Sequence, residues 1–183
     1  MKPTIVLLSG PLACGKSVVS MELSNRHGFS KISSSGYLKS NLGNQVVSRE
    51  NLQNLGDLLD EETDFSWVVN SVAKPQIKQG PEHKFWYVDA VRKARQIEHF
   101  KNELEHTFHV HLHAPDSICE QRYSERERAD DAFKSYRDAI LHPNEVASRS
   151  LHQCCDLAID ISDARPASVA DQIFLALEEL DYA

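Results

Sequence analysis

The sequence is short of several things, and each shortage excludes a class. Basic residues are in deficit: 20 Lys and Arg stand against 27 Asp and Glu, a formal charge of −7. Duplex binding runs on phosphate neutralisation by basic side chains, so a broad nucleic-acid surface is not expected, although a local basic groove is compatible with this balance. Cysteine is sparse. Cys14, Cys119, Cys154 and Cys155 form no C-x-x-C pair, so neither a disulfide framework nor a zinc site is indicated. No apolar run approaches the ~18 residues of a membrane span. The one near the start, Ile5 to Leu8, is too short for a signal peptide. Reduced thiols and a cytoplasmic location are therefore the expectation. Internal repeats, low-complexity tracts and interdomain linkers are also missing. What remains is 183 residues, 41% hydrophobic and 26% charged, an ordinary globular balance for one domain spanning 1–183.

Apolar patterning gives an alternation of strands and helices. Thr4 to Leu8 reads as a strand buried on both faces. Residues 15–27 read as a helix stopped by Gly28. Phe29 to Ser33 predicts a second strand, Lys84 to Asp89 a third, Thr107 to His113 a fourth and Leu157 to Ile161 a fifth. Ser48 to Asp60, with Leu52, Leu55, Leu58 and Leu59, predicts a helix capped by Ser48, and Asp64 is the expected cap of the next. Pro143 and Pro166 open later helices. Strands alternating with helices imply a parallel sheet with right-handed crossovers. Residues 34–80 form an excursion too long for an ordinary connection and read as an inserted substrate-binding part.

The strongest signal is Gly10-Pro11-Leu12-Ala13-Cys14-Gly15-Lys16-Ser17, a full G-x-x-x-x-G-K-[ST] match with a buried strand before it and a helix after it. Glycines let backbone N–H groups approach phosphates closely, and the helix N-terminus adds partial positive charge. The amides of Gly10, Ala13, Cys14, Gly15, Lys16, Ser17 and Val18 are the expected phosphate cradle for ATP. Lys16 reaches the β- and γ-phosphates, and Ser17 ligates Mg²⁺. Cys14, inside the loop, reads as a small side chain with no role of its own beyond the cradle.

The arrangement resembles the nucleoside monophosphate kinase-like group of P-loop kinases, which includes adenylate, deoxynucleotide and dephospho-coenzyme A kinases. Four further segments carry the resemblance: Ser33 to Lys39 after strand two, the R-x-x-L-Q-x-x-G-D stretch Arg49 to Asp57, Val88-Asp89-Ala90-Val91-Arg92 (with Ala90 where the group has glycine), and the arginines Arg122, Arg126 and Arg128. The resemblance implies a three-layer α/β P-loop fold with five parallel strands in the order 2-3-1-4-5. It implies Asp89 beside Ser17 at Mg²⁺, and Ser35, Arg49, Asp57 and Arg92 at the acceptor. A lid at about 122–131 is implied too, with Arg126 the first choice for its phosphate-facing arginine. Lys16, Asp89, Arg92 and Arg126 are the implied catalytic set.

Transfer to a phosphate needs positioning and charge stabilisation, whereas transfer to a hydroxyl benefits from a nearby carboxylate. Ser33-Ser34-Ser35 stands where hydroxyl kinases of this group commonly carry an Asp. A nucleoside or deoxynucleoside monophosphate acceptor is therefore expected. A hydroxyl acceptor stays open, with Asp57 or Asp89 as base: dephospho-coenzyme A, a modified nucleoside, or a hydroxymethylated base in DNA. So does a non-catalytic ATP-binding regulatory module. The partner is a small molecule rather than a membrane, and the chain is expected to act as a monomer or homodimer. His109, His111 and His113 alternate on one strand face. Three imidazoles so placed can bind Zn²⁺, but a packed strand face is the reading preferred here. Trp67 is the best candidate for stacking on a base, because it lies in the inserted part.

Overall fold

The computed structural model describes residues 2–43, 46–125 and 135–180, with only the backbone of Arg49. Its centre is a five-stranded parallel sheet in the order β2-β3-β1-β4-β5. The strands are β1 (Thr4–Ser9), β2 (Ser30–Lys31), β3 (Phe85–Val88), β4 (His106–His113) and β5 (Leu157–Asp160). β1 is buried throughout because it is paired on both edges, Thr4 standing opposite Phe85 on one side and His106 on the other.

Alternation along β1 sends its side chains to two separate cores. Val6 and Leu8 join Val110, Leu112, Val19 and Leu23 of α1 (Lys16–His27) and Ile173 and Leu177 of α9 (Pro166–Glu179). Ile5 and Leu7 join Trp86, Val88, Ile97 and Phe100 of α5 (Ala94–Glu103), and a helical group inserted between β2 and β3. That group comprises α2 (Ser34–Asn41), α3 (Arg49–Glu62), a π-helical turn (Val68–Ala73) and α4 (Lys74–Gln79). The other helices are α6 (Asp116–Ser124), α7 (Tyr136–Ile140) and α8 (Pro143–Ser150), with a 3₁₀ turn at Leu151–Cys154.

Several expected boundaries hold. Gly28 ends α1 at φ 68, and the Ser48 hydroxyl caps α3 by accepting from the Asn51 N–H. Two do not. The second strand is Ser30–Lys31, not Phe29 to Ser33. The Gln76 side chain takes both backbone groups of Ser33, accepting from its N–H at 3.0 Å and donating to its carbonyl at 2.9 Å, so the strand ladder stops short. Asp64 does not cap the following helix. It sits at φ 49 with its carboxylate 2.6 Å from Arg95, and the Thr63 hydroxyl accepts the Trp67 N–H instead. Among the described residues no helix is long and apolar enough to cross a membrane.

Candidate active site

The phosphate motif leaves β1 and turns into α1 through backbone that only glycine tolerates. Gly10 lies at φ 143, and a Cβ there would stand 2.1 Å from the Leu112 carbonyl oxygen of β4. Gly15, at φ 123, is the residue before α1. The Lys16 ammonium folds back over the loop, donating to the carbonyls of Gly10 at 2.5 Å and Pro11 at 2.9 Å. The Ser148 hydroxyl of α8 donates to the same Gly10 carbonyl at 3.1 Å.

Beneath the loop lies a buried polar chain. Ser9 Oγ is 2.7 Å from His109 Nε2 and 2.9 Å from His111 Nδ1. His109 Nδ1 faces the Cys154 carbonyl at 3.2 Å, so Nδ1 carries the proton and Nε2 accepts. The Ser9 hydroxyl must then donate to His109 and accept from His111 Nδ1–H. Both rings are neutral. Burial lowers the His109 pKa, and burial with the neighbouring His109, His152, His113 and Lys16 brings His111 down to about 4. His109 and His111 of the histidine stripe thus lie on a packed strand face, while His113 at its end is half-buried. Among the described residues no group of three His, Cys, Asp or Glu could hold a metal ion.

Of two cavities, one is lined by the loop and the other by the inserted helices. The smaller, about 360 Å³, is mostly apolar and is lined by Ala13 to Gly15 of the loop, Val18 and Val19 of α1, and Ile161 to Val169 around the start of α9. Arg122 of α6 closes its wall: Nη1 donates to the Cys14 carbonyl at 2.5 Å, and Nη2 to the carbonyls of Ile161 at 3.0 Å and Ser162 at 2.9 Å. The guanidinium therefore clasps the phosphate loop to the β5–α9 turn.

The larger cavity, about 720 Å³, lies over the inserted helices and is lined by side chains from α2, α3, the β3–α5 turn and α8. Lys39, Arg92 and Lys93 line it, and among the described residues none of the three forms an ion pair. Asp57 and Asp60 of α3 line it too. Asp57 Oδ1 accepts from the Asn144 amide at 3.3 Å. Asp60 is 7% exposed, and its Oδ1 accepts from Trp67 Nε1 at 2.8 Å and Gln96 Nε2 at 3.1 Å. Burial raises the Asp60 pKa, against the lowering effect of those two donors. Gln96 Oε1 accepts from the backbone N–H groups of Arg92 and Lys93 at 3.1 and 3.3 Å, which fixes the turn that carries both cations. The cavities are linked through α8, where Asn144 lines the larger one and Ser148, one turn on and about 6 Å along the axis, holds Gly10.

Of the residues singled out in the sequence, the motif residues Gly10 to Val18 form the loop and first turn of α1, and Asp57 and Arg92 come together in the larger cavity. Ser35 does not line that cavity. Its hydroxyl meets Ser33 Oγ at 3.0 Å, and the neighbouring Ser34 lines the wall. Asp89 stands just past β3 with its carboxylate 2.7 Å from the Lys31 ammonium. Arg49 starts α3, its side chain outside the described residues, as are Arg126 and Arg128. Trp67 is 5% exposed: one of its faces stacks on the Tyr37 ring, with centroids 5.8 Å apart and 25° between the planes, and its edge donates through Nε1 to Asp60. Asp60 and Gln96 escaped the sequence reading. The one available signal was that Asp60 follows Asp57 by three residues and so shares a helix face with it.

No protein-family model matches the chain, and no curated protein matches it. Solved structures do. A sugar kinase from Janibacter sp. HTCC2649 superimposes with a TM-score of 0.57 over 100% of this chain and 96% of its own, at 14% identity. A shikimate kinase from Acinetobacter baumannii in complex with shikimate gives 0.54 over 98% and 94%, at 17% identity. The YorR protein of Bacillus subtilis in complex with phosphorylated GDP gives 0.54 over 98% and 99%, at 18% identity. The chain therefore has the P-loop kinase fold seen in these proteins.

Proposed function

We propose that this chain is an ATP- and Mg²⁺-dependent phosphotransferase whose acceptor is a nucleoside or deoxynucleoside monophosphate. The observation that carries the reading is the trio Lys39, Arg92 and Lys93, which line a cavity joined by α8 to the phosphate loop and form no ion pair among the described residues, although Lys93 feels the Asp60 charge. Cations outside an ion pair suit an anionic ligand. A cavity of about 720 Å³ with apolar Leu38, Leu52 and Trp67 beside them has room for a base and sugar as well.

In this reading the loop amides and Lys16 bind the ATP phosphates, and the apolar cavity walled by Val18, Ile161 and Val169 takes the adenine. Arg122 holds those two walls together. Arg92 aligns the acceptor phosphate, its backbone kept in place by Gln96. Ser17 and Asp89 offer the hard oxygen donors that suit Mg²⁺, which when bound neutralises charge on the β- and γ-phosphates. Asp89 already has an ammonium as counter-charge, so a metal there replaces Lys31 in that role.

A second reading, transfer to a hydroxyl, has one observation in its favour: the Asp57 carboxylate lines the same cavity and is held by Asn144. The test is ADP release from ATP·Mg²⁺ against ribo- and deoxynucleoside monophosphates, free nucleosides, dephospho-coenzyme A and an oligonucleotide with hydroxymethylated bases. Rapid turnover with monophosphates is the expected result. Turnover with hydroxyl acceptors alone overturns the leading reading in favour of the second. ATP binding with no acceptor-dependent ADP in any arm rejects both.

A further inference from the structure

Asp60 is a buried carboxylate with acceptor capacity that the protein's own bonds leave unused. It lies on α3 at the wall of the larger cavity, 7% exposed, with Trp67, Leu38 and Leu52 on the same wall and the charges of Lys93 and Asp57 acting on it. Among the described residues both of its hydrogen bonds, from Trp67 Nε1 and Gln96 Nε2, fall on the same oxygen, Oδ1. Oδ2 has no hydrogen-bond partner among them, and Arg149 Nε is the only fully enclosed side-chain polar atom among them without one, so Oδ2 is not fully enclosed. Asp60 lines the cavity, so a second oxygen left with its lone pairs is available to a ligand there. Burying a carboxylate is costly when half of its acceptor capacity is left unmet, so a ligand donor at that point completes the site.

We propose that Asp60 selects the acceptor by accepting, through Oδ2, a hydrogen bond from an N–H on its nucleobase. This rests on the monophosphate reading given above. The base is the part that fits. A carboxylate repels the acceptor phosphate, which is drawn instead to Lys39 and Arg92, so the group beside Asp60 is a neutral donor. Trp67, whose edge is bonded to Asp60, and the apolar Leu38 and Leu52 line the same cavity and offer apolar surface that suits a base rather than a sugar. Discrimination built this way is strong, because a ligand lacking the donor leaves a buried charge unpaired. Asp60 also shares Gln96 with the turn carrying Arg92, so base recognition and phosphate alignment are built on one amide.

The experiment uses matched pairs of monophosphates that differ only in a base N–H: thymidine monophosphate against its N3-methyl form, and adenosine monophosphate against purine riboside monophosphate. Binding is read by calorimetry, with an ATP analogue titrated in parallel. For whichever pair the wild-type protein accepts, the donor-bearing member should bind about ten- to a hundredfold more tightly. In Asp60→Asn, which keeps the shape but swaps one acceptor for a donor, that preference should shrink to less than about threefold while the ATP analogue binds as before. Equal preference in both proteins, or a loss in Asp60→Asn that is the same for both members of a pair, overturns the assignment to Asp60. A preference that instead follows the 2′- or 3′-hydroxyl in deoxy and ribo pairs also overturns it, in favour of the sugar. If Asp60→Asn does not fold, the wild-type pairs decide alone, and indifference to the N–H rejects the proposal. Binding of no monophosphate at all by the wild type rejects the underlying reading, a result separate from each of these.

Discussion

The two cavities are framed by different means. The smaller sets apolar side chains, Val18, Val19, Ile161 and Val169, against a backbone frame: the glycine-turned loop and three carbonyls gathered by the single guanidinium of Arg122. The larger is made of side chains from α2, α3, the β3–α5 turn and α8, with cations in no ion pair among the described residues and a buried carboxylate half satisfied. Backbone can be specified by a short contiguous pattern, since a glycine at the right spacing fixes the turn whatever surrounds it. A side-chain cavity is specified only by how distant segments meet.

The sharpest way to break the contrast is at Lys16. In Lys16→Ala, turnover should fall about 10²–10³-fold with little change in acceptor affinity, read from steady-state rates and calorimetry. A comparable loss of acceptor binding would show that the two sides are not independent.

The next effect lies beneath both. His111, 2% exposed, takes a proton in the folded protein only near pH 4, whereas the unfolded chain takes it near the ordinary 6.5. Below 6.5 the unfolded state therefore binds more protons. Stability should drop as pH falls from about 6.5 to about 4 and level off below, by on the order of 3 kcal/mol. His109 is depressed in the same direction. Urea melts at pH 7.5 and 4.5 measure the drop, and His111→Gln should flatten it. An unchanged pH dependence in that variant would assign the drop to other groups.

On the acceptor side, Arg92→Ala should raise the acceptor KM about 10–100-fold and leave ATP-analogue affinity within about twofold. On the donor side, Arg122→Ala strands the Cys14 carbonyl of the loop and those of Ile161 and Ser162 at the β5–α9 turn, and should cost about 1–3 kcal/mol of stability, with weaker ATP binding and unaltered acceptor binding. The smallest effect belongs to Lys31→Ala. Its ion pair with Asp89 is half exposed and worth less than about 1 kcal/mol, so stability should hardly move. A larger loss would make that pair part of the frame rather than a counter-charge for Asp89.

The same contrast explains what could be read from the residues alone. The parallel sheet followed from the alternation of elements, its order from the kinase resemblance alone, and the loop from eight consecutive residues. Asp57 and Arg92, which line the larger cavity, each sit in a short recognisable stretch. Asp60 and Gln96 were not legible, for their roles arise only when α3, Trp67 and α5 pack together. The short β2 was misjudged for a related reason: Gln76, more than 40 residues along the chain, takes the backbone groups that local apolar pattern assigned to the ladder. Asp64 looked like a cap by residue type, but the chain turns there in the left-handed region and gives the task to Thr63.

The sheet order has a consequence for synthesis. β1 precedes its partners along the chain, for Thr4 pairs with Phe85 and His106. Those partners leave the ribosome about 80 and 100 residues later, which at ordinary elongation rates is a wait of roughly 4 to 20 s. Until then the apolar run Ile5 to Leu8 has no edge to join, and long-range parallel pairing is slow even once all strands are present. The strand that leads into the phosphate loop is thus made well before it can be buried, which makes nascent chains that end before His106 the ones most dependent on chaperones.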